Sequence, residues 1–194
     1  MKPANDGLAP SVLHVLPDAS AIALIRAFGN GLRHTLVTSD GQLPPGLVSS
    51  PRLKAARSFP PIGGLPLPGR MQALARAMTP FDLVLTHGWK ALDVAMAHTL
   101  FQDAMGLPAL VHHEHEADPA RSMRRTWYRR LALGKARGVI VPDEALEAAA
   151  LVDWQQPLGR VTTIPVARLS GGRLATEAIS AHRRVYARAM RQEF

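Results

Sequence analysis

The sequence predicts an α/β fold built on a single Rossmann-like, doubly wound parallel sheet. Two observations carry this. Short apolar runs recur along the chain: SVLHVL at Ser11 to Leu16, HTLVT at His34 to Thr38, FDLVLT at Phe81 to Thr86 and GVIV at Gly138 to Val141. Near-continuous runs of this kind suit strands buried on both faces. Segments of helical periodicity, closed by glycine or proline, alternate with them, and that alternation implies parallel strands joined by crossover helices.

The elements follow in order. Pro17-Asp18 closes the first strand, and Ala19 to Phe28 reads as a helix stopped by Gly29-Asn30-Gly31. The second strand, His34 to Thr38, runs into Ser39-Asp40-Gly41. Gln42 to Gly69 is rich in proline and glycine, with a short strand expected near Ala55 to Phe59. Loops this long inside a compact domain are usually functional. A helix is expected over Gly69 to Met78 and a strand over Phe81 to Thr86. Trp89 to Met105 reads as an amphipathic helix with Leu92, Met96, Leu100 and Ala104 on one side, ended by Gly106 and Pro108. Then come a strand at Pro108 to His113, a basic helix at Arg121 to Arg137 and a strand at Gly138 to Val141. A helix at Asp143 to Val152 and a strand at Arg160 to Ile164 follow. The final helix, Leu174 to Met190, has Leu174, Ala178, Ile179, Val185, Tyr186 and Ala189 on one face, with Arg183, Arg184, Arg188 and Arg191 mostly off it.

The chain has 194 residues, 47% of them apolar, which suits one globular domain with a real core. No apolar run approaches the ~20 residues that span a bilayer. The first ten residues, MKPANDGLAP, lack the apolar segment of a secretory signal, so a cytoplasmic location is the default. The absence of cysteine excludes disulfides, thiolate zinc sites and cysteine nucleophiles. A net charge of +8 favours an anionic partner: phospholipid headgroups, nucleic acid or a phosphorylated substrate.

In doubly wound sheets, ligands bind beyond the carboxyl ends of the strands. Three segments fall there: Pro17 to Ser20, Thr86 to Trp89, and His113 to Asp118. On an extended segment His113 and His115 point one way, and His112 and Glu114 the other. Two imidazoles on one face are too few for zinc, which takes three or four ligands, so no metal is expected. His87 and Trp89 are expected to line the same cleft.

Six stretches occur in a familiar order: HTLVTSDG (His34 to Gly41), THGWKALDVAMAH (Thr86 to His98), VHHEHE (Val111 to Glu116), RRTWYRRLAL (Arg124 to Leu133), VIVPDEAL (Val139 to Leu146) and DWQQPLGRVTTIP (Asp153 to Pro165). Together they resemble the N-terminal domain of the family-four retaining glycosyltransferases of the GT-B fold, from about Val12 to about Leu169. The resemblance implies transfer of a sugar from a nucleotide-sugar to a glycan or lipid-linked acceptor, with no further cofactor. It implies two Rossmann-like domains facing across a cleft, the N-terminal one holding the acceptor. It makes His115, with His113 second, the catalytic candidates, while their place beyond the strand ends makes His87, Trp89, Glu114 and Asp18 the substrate-binding candidates.

This chain departs from the pattern in four places. The Gly-Gly usual after the first strand is replaced by Asp18-Ala19-Ser20-Ala21-Ile22. Asp143 stands where serine is usual. The IPNG linker reads Ile164-Pro165-Val166-Ala167, and no two glutamates lie eight positions apart. The expectation is therefore an acceptor-domain protein of polysaccharide or glycolipid biosynthesis that lacks the donor-sugar domain and is inactive alone. It would comprise a Rossmann-like unit over residues 1–169 and a helix over 170–194 packing back on it. A donor-domain or full-length glycosyltransferase would be its partner. The alternative is a pseudoenzyme: a non-catalytic regulator or scaffold for such an enzyme or for an anionic membrane.

The basic helix supplies Arg121, Arg124, Arg125, Arg129 and Arg130, with Met123, Trp127, Tyr128 and Leu131 between them and no acid. Such a helix suits an anionic membrane surface, which would place the protein peripherally on the inner face. No helix-turn-helix, zinc-finger or RNA-binding signature accompanies the charge, so nucleic acid is not the expected partner.

Overall fold

Seven strands form one sheet in the order β3-β2-β1-β4-β5-β6-β7, and every neighbouring pair is parallel. They are β1 (Ser11–Val15), β2 (Arg33–Val37), β3 (Leu53–Ala55), β4 (Leu83–His87), β5 (Ala109–His113), β6 (Gly138–Val141) and β7 (Val161–Thr163). This computed structural model describes residues 9–17, 19–28, 31–116, 122–165, 168–169, 173–174 and 176–191. Strand order reverses at β1 and β4, which makes the gap between their carboxyl ends the topological switch point where such sheets bind ligands.

Side-chain alternation splits the central strands between two cores. Leu13, Val15, Val84, Leu110 and Val139 face α2 (Pro68–Met78), α3 (Leu92–Met105), α4 (Met123–Ala132) and α5 (Glu144–Val152). Val12, Leu83, Leu85, Val111 and Ile140 face α1 (Ala19–Phe28) and α6 (Thr176–Arg191). Burial on both sides explains why these strands read as unbroken apolar runs. Asp143 caps α5: its Oδ1 accepts from the Leu146 N–H at 2.8 Å.

On α6, Ala178, His182, Val185, Tyr186 and Ala189 turn inward, while Arg183, Arg184, Arg188 and Arg191 stay exposed. Gly138 lets this helix approach closely, since a Cβ there would lie 3.3 Å from Val185.

Five local expectations are corrected. The short strand near Ala55 to Phe59 lies at Leu53–Ala55. Residues 89–91 form a turn of 3₁₀-helix ahead of α3. On α3 the buried positions are Leu92, Val94, Ala95, Ala97 and His98, whereas Leu100 is 59% exposed. The reason is that α3 packs against both α2 and α4, so its buried side is broad and small residues fill the close approaches. The basic helix is shorter than expected, ending at Ala132 before Gly134. The final helix, expected from Leu174, begins at Thr176: Leu174 lies instead in β9 (Arg173–Leu174), which pairs with β8 (Arg168–Leu169) in an unexpected antiparallel hairpin.

Candidate functional site

Two constellations flank the carboxyl edge of the sheet. On the α1/α6 side, buried imidazoles run across four adjacent strands: His34 on β2, His14 on β1, His87 on β4 and His113 on β5. His14 Nε2 lies 3.0 Å from His34 Nδ1, and the His14 ring stacks on His87 with centroids 5.7 Å apart. His87 and His113 are register neighbours on β4 and β5, with ring centroids 4.7 Å apart. His115 follows two residues on and stacks parallel to His87 at 6.1 Å. From α6, His182 stacks on His113 at 5.5 Å, and the Tyr186 hydroxyl meets His113 Nε2 at 2.9 Å. Burial, followed by neighbouring imidazoles, holds His14, His87 and His113 well below the ordinary histidine range. Burial pushes His34 down to about 4. These four rings are neutral at pH 7.

The alternation expected at the end of β5 is present. His113 and His115 face this cluster, while His112 and Glu114 face the opposite side. There Thr86 Oγ1 lies 2.9 Å from His112 Nδ1. Arg129 Nε donates to Glu114 Oε2 at 3.0 Å, and both side chains are almost fully buried. The Arg129 guanidinium carbon lies 4.9 Å from the Trp89 ring centre and 5.1 Å from that of Trp154. Burial raises Glu114, but His112 and Arg129 together outweigh it and hold the carboxyl at about 2.

The second constellation is a cavity of about 1060 Å³ on the α3/α4 side. Leu16, Val37 and Thr38 at strand ends form its floor, and Ala56, Arg57 and Phe59 to Gly63 of the Pro/Gly-rich loop form one wall. Trp89, Lys90 and Asp93 with Ser122, Arg124, Arg125 and Tyr128 form the other. Arg70 pins the loop: its guanidinium donates to the carbonyls of Pro61, Gly64 and Leu65 at 3.2–3.3 Å and to Asp93 Oδ2 at 2.8 Å. Tyr128 donates to the other Asp93 oxygen, and burial with that carboxylate raises the phenol's pKa.

The predicted residues therefore divide. His113, His115 and His87 come together. Trp89 does not join them, because its side chain lies on the other side of the sheet in the cavity wall, with the Arg125 and Arg129 guanidinium carbons 5.0 and 4.9 Å from its ring centre. Glu114 is committed to Arg129. Arg129 itself, expected on the outer face of the basic helix, is only 2% exposed, because one side of α4 packs on α3 and brings Arg129 to Glu114. Arg124, Arg125 and Arg130 are exposed. Asp18 and Arg121 lie outside the described residues. Sequence reasoning missed His14, His34 and His182. Their signal was a polar residue inside an otherwise apolar strand or helix face. It also missed Arg57 and Lys90, which lie in the cavity lining and show no local pattern.

The family profile described as Glycosyltransferase Family 4 matches residues 21–167. The chain belongs to this family. No curated protein sequence matches it significantly. Among solved structures, sucrose-phosphate synthase from Thermosynechococcus elongatus aligns with TM-score 0.59 and 18% identity, over 91% of this chain and 97% of that one. HepE from Anabaena, in complex with UDP and glucose, aligns with TM-score 0.53 and 12% identity, over 80% of this chain. This family 4 chain spans 44% of the HepE chain. At these identities the likeness concerns the fold, a Rossmann-like GT-B domain.

Proposed function

We propose that this chain is the acceptor-holding half of a family 4 glycosyltransferase of polysaccharide or glycolipid biosynthesis, and that its acceptor carries phosphate. The observation that carries the reading is the cavity at the carboxyl edge. It is large enough for several sugar units or a phosphate-linked lipid head, and four cations line it: Arg57, Lys90, Arg124 and Arg125. Among the described lining residues Asp93 is the one carboxylate, and both of its oxygens are engaged by Arg70 and Tyr128.

The rim of the cavity favours delivery from a membrane. On α4, Met123 (81% exposed), Trp127 (58%) and Leu131 (47%) recur every fourth residue as one apolar stripe beside Arg124 and Arg130. Such a stripe suits the headgroup region of an anionic bilayer. None of the described helices is long and apolar enough to cross a membrane.

The donor sugar is proposed to be held by a separate unit. What supports this is that α6 follows the hairpin and packs against β4 and β5.

The test is a titration of the labelled protein with a short isoprenyl diphosphate sugar, followed by NMR. Shifts are expected at Lys90, Arg124 and Tyr128, and Lys90→Ala with Arg124→Ala should weaken binding at least tenfold. Shifts confined to other surfaces, or none, would remove the reading.

A further inference from the structure

We propose that His87, His113 and His115 form a binding site for a divalent transition-metal ion of the zinc class. Each offers one nitrogen, and the three nitrogens lie within 4.8 Å of one another. A tetrahedral ion with bonds of ~2.0–2.1 Å needs its ligand nitrogens about 3.4 Å apart. A bound ion would have to draw His115, which is half-buried just beyond the strand end, toward the other two.

The third ligand is what an extended VHHEHE segment alone lacks. It comes from the neighbouring strand. Parallel register sets His87 beside His113, and the Gly88 N–H donates to the His113 carbonyl at 2.7 Å, tying the two strand ends together. Gly88 has φ 66° and ψ −179°, a conformation essentially confined to glycine, so the turn that holds His87 in place depends on that residue.

His87 supplies an independent sign. It is 4% exposed, and neither ring nitrogen has a hydrogen-bond partner among the described residues. Buried imidazole nitrogens normally find partners, so an orphaned pair marks a missing one. His113 has the complementary arrangement. Its Nε2 meets the Tyr186 hydroxyl at 2.9 Å, and an outer hydrogen bond of this kind would orient the ring to ligate through its other nitrogen.

The donor set selects the ion. Three imidazoles without a carboxylate suit zinc, nickel or copper and not magnesium or calcium. Glu114 is turned to the opposite face and paired with Arg129. With three protein ligands, the fourth position is left to water or a ligand. The proposal does not depend on the acceptor reading, because the cavity lies on the other side of the sheet.

The experiment is equilibrium dialysis of untagged full-length protein against zinc, with metal content read by mass spectrometry and geometry by the visible bands of the cobalt-substituted form. One zinc per chain is expected, with tetrahedral cobalt bands and no retention of magnesium. His115→Ala, at a half-buried position, and His87→Gln should each lower affinity at least tenfold. Circular dichroism establishes that each variant is folded. If His87→Gln does not fold, His115→Ala alone decides. Absence of stoichiometric zinc, or unchanged zinc binding in His115→Ala, would overturn the site.

Discussion

Glu114 and Arg129 meet at 3.0 Å in a closed compartment between β5 and α4, with the guanidinium carbon within about 5 Å of both the Trp89 and Trp154 ring centres. The pair ties the strand that carries the histidines to the helix that carries the exposed arginines. Removing one member strands a buried charge, and such losses typically cost about 3–5 kcal/mol. Glu114→Ala and Arg129→Ala should therefore each lower the denaturation midpoint far more than Arg130→Ala, which removes an exposed charge. In a double-mutant cycle the two changes should be strongly coupled. Additive effects in chemical denaturation would show that the contact carries no energy.

Arg70 holds the Pro/Gly-rich loop against α3 through three carbonyls and Asp93. Hydrogen bonds to charged groups contribute about 1.5–3 kcal/mol, so Arg70→Ala should destabilise by an amount in that range. The freed loop should be cleaved faster by a protease of low specificity between residues 56 and 66. A cleavage pattern identical to that of the unaltered protein would contradict this role.

Acid should unfold the protein through its buried imidazoles. His98 is fully buried, its Nε2 lies 2.8 Å from the Pro108 carbonyl, and burial lowers it to about 4. The folded state resists protonation until about pH 4, while the unfolded side chain takes a proton near 6.5. Its contribution is therefore constant above pH 6.5 and declines as pH falls toward 4, by up to about 3 kcal/mol for one such group. His34 acts in the same direction over the same window. Glu114, held at about 2, loses its contribution only below its ordinary value of 4.5 and does not affect the range from 6.5 to 5. Denaturation measured from pH 7 to 5 should show falling stability, with a shallower slope in His98→Gln. A flat profile would contradict the burial of neutral rings.

The exposed stripe on α4 should bind phosphatidylglycerol vesicles at low salt. Each basic residue near an anionic surface contributes ~1 kcal/mol, so Arg124→Glu with Arg125→Glu should abolish co-sedimentation while leaving the fold intact. Raising salt to 1 M should also release the protein, as the Debye length shortens to ~3 Å. Trp127→Ala should weaken binding because its indole is exposed. Equal binding to neutral vesicles would point to the apolar stripe alone.

What was legible in the sequence was local. Strand runs such as Gly138 to Val141 were readable because burial on both faces demands continuous apolar residues. The inward face of α6 was readable because Ala178, Val185, Tyr186 and Ala189 repeat at helical spacing. The opposed directions of His113 and Glu114 follow from the two-residue pleat. Tertiary structure decided everything that depends on register between distant segments. It set His87 beside His113 across 26 residues, brought His182 and Tyr186 from α6 onto the same ring, and turned Arg129 inward to Glu114 although its neighbours Arg124, Arg125 and Arg130 face solvent. Periodicity reports which face of an element is apolar. It carries no information about which element packs opposite, and a polar residue's role depends on that partner.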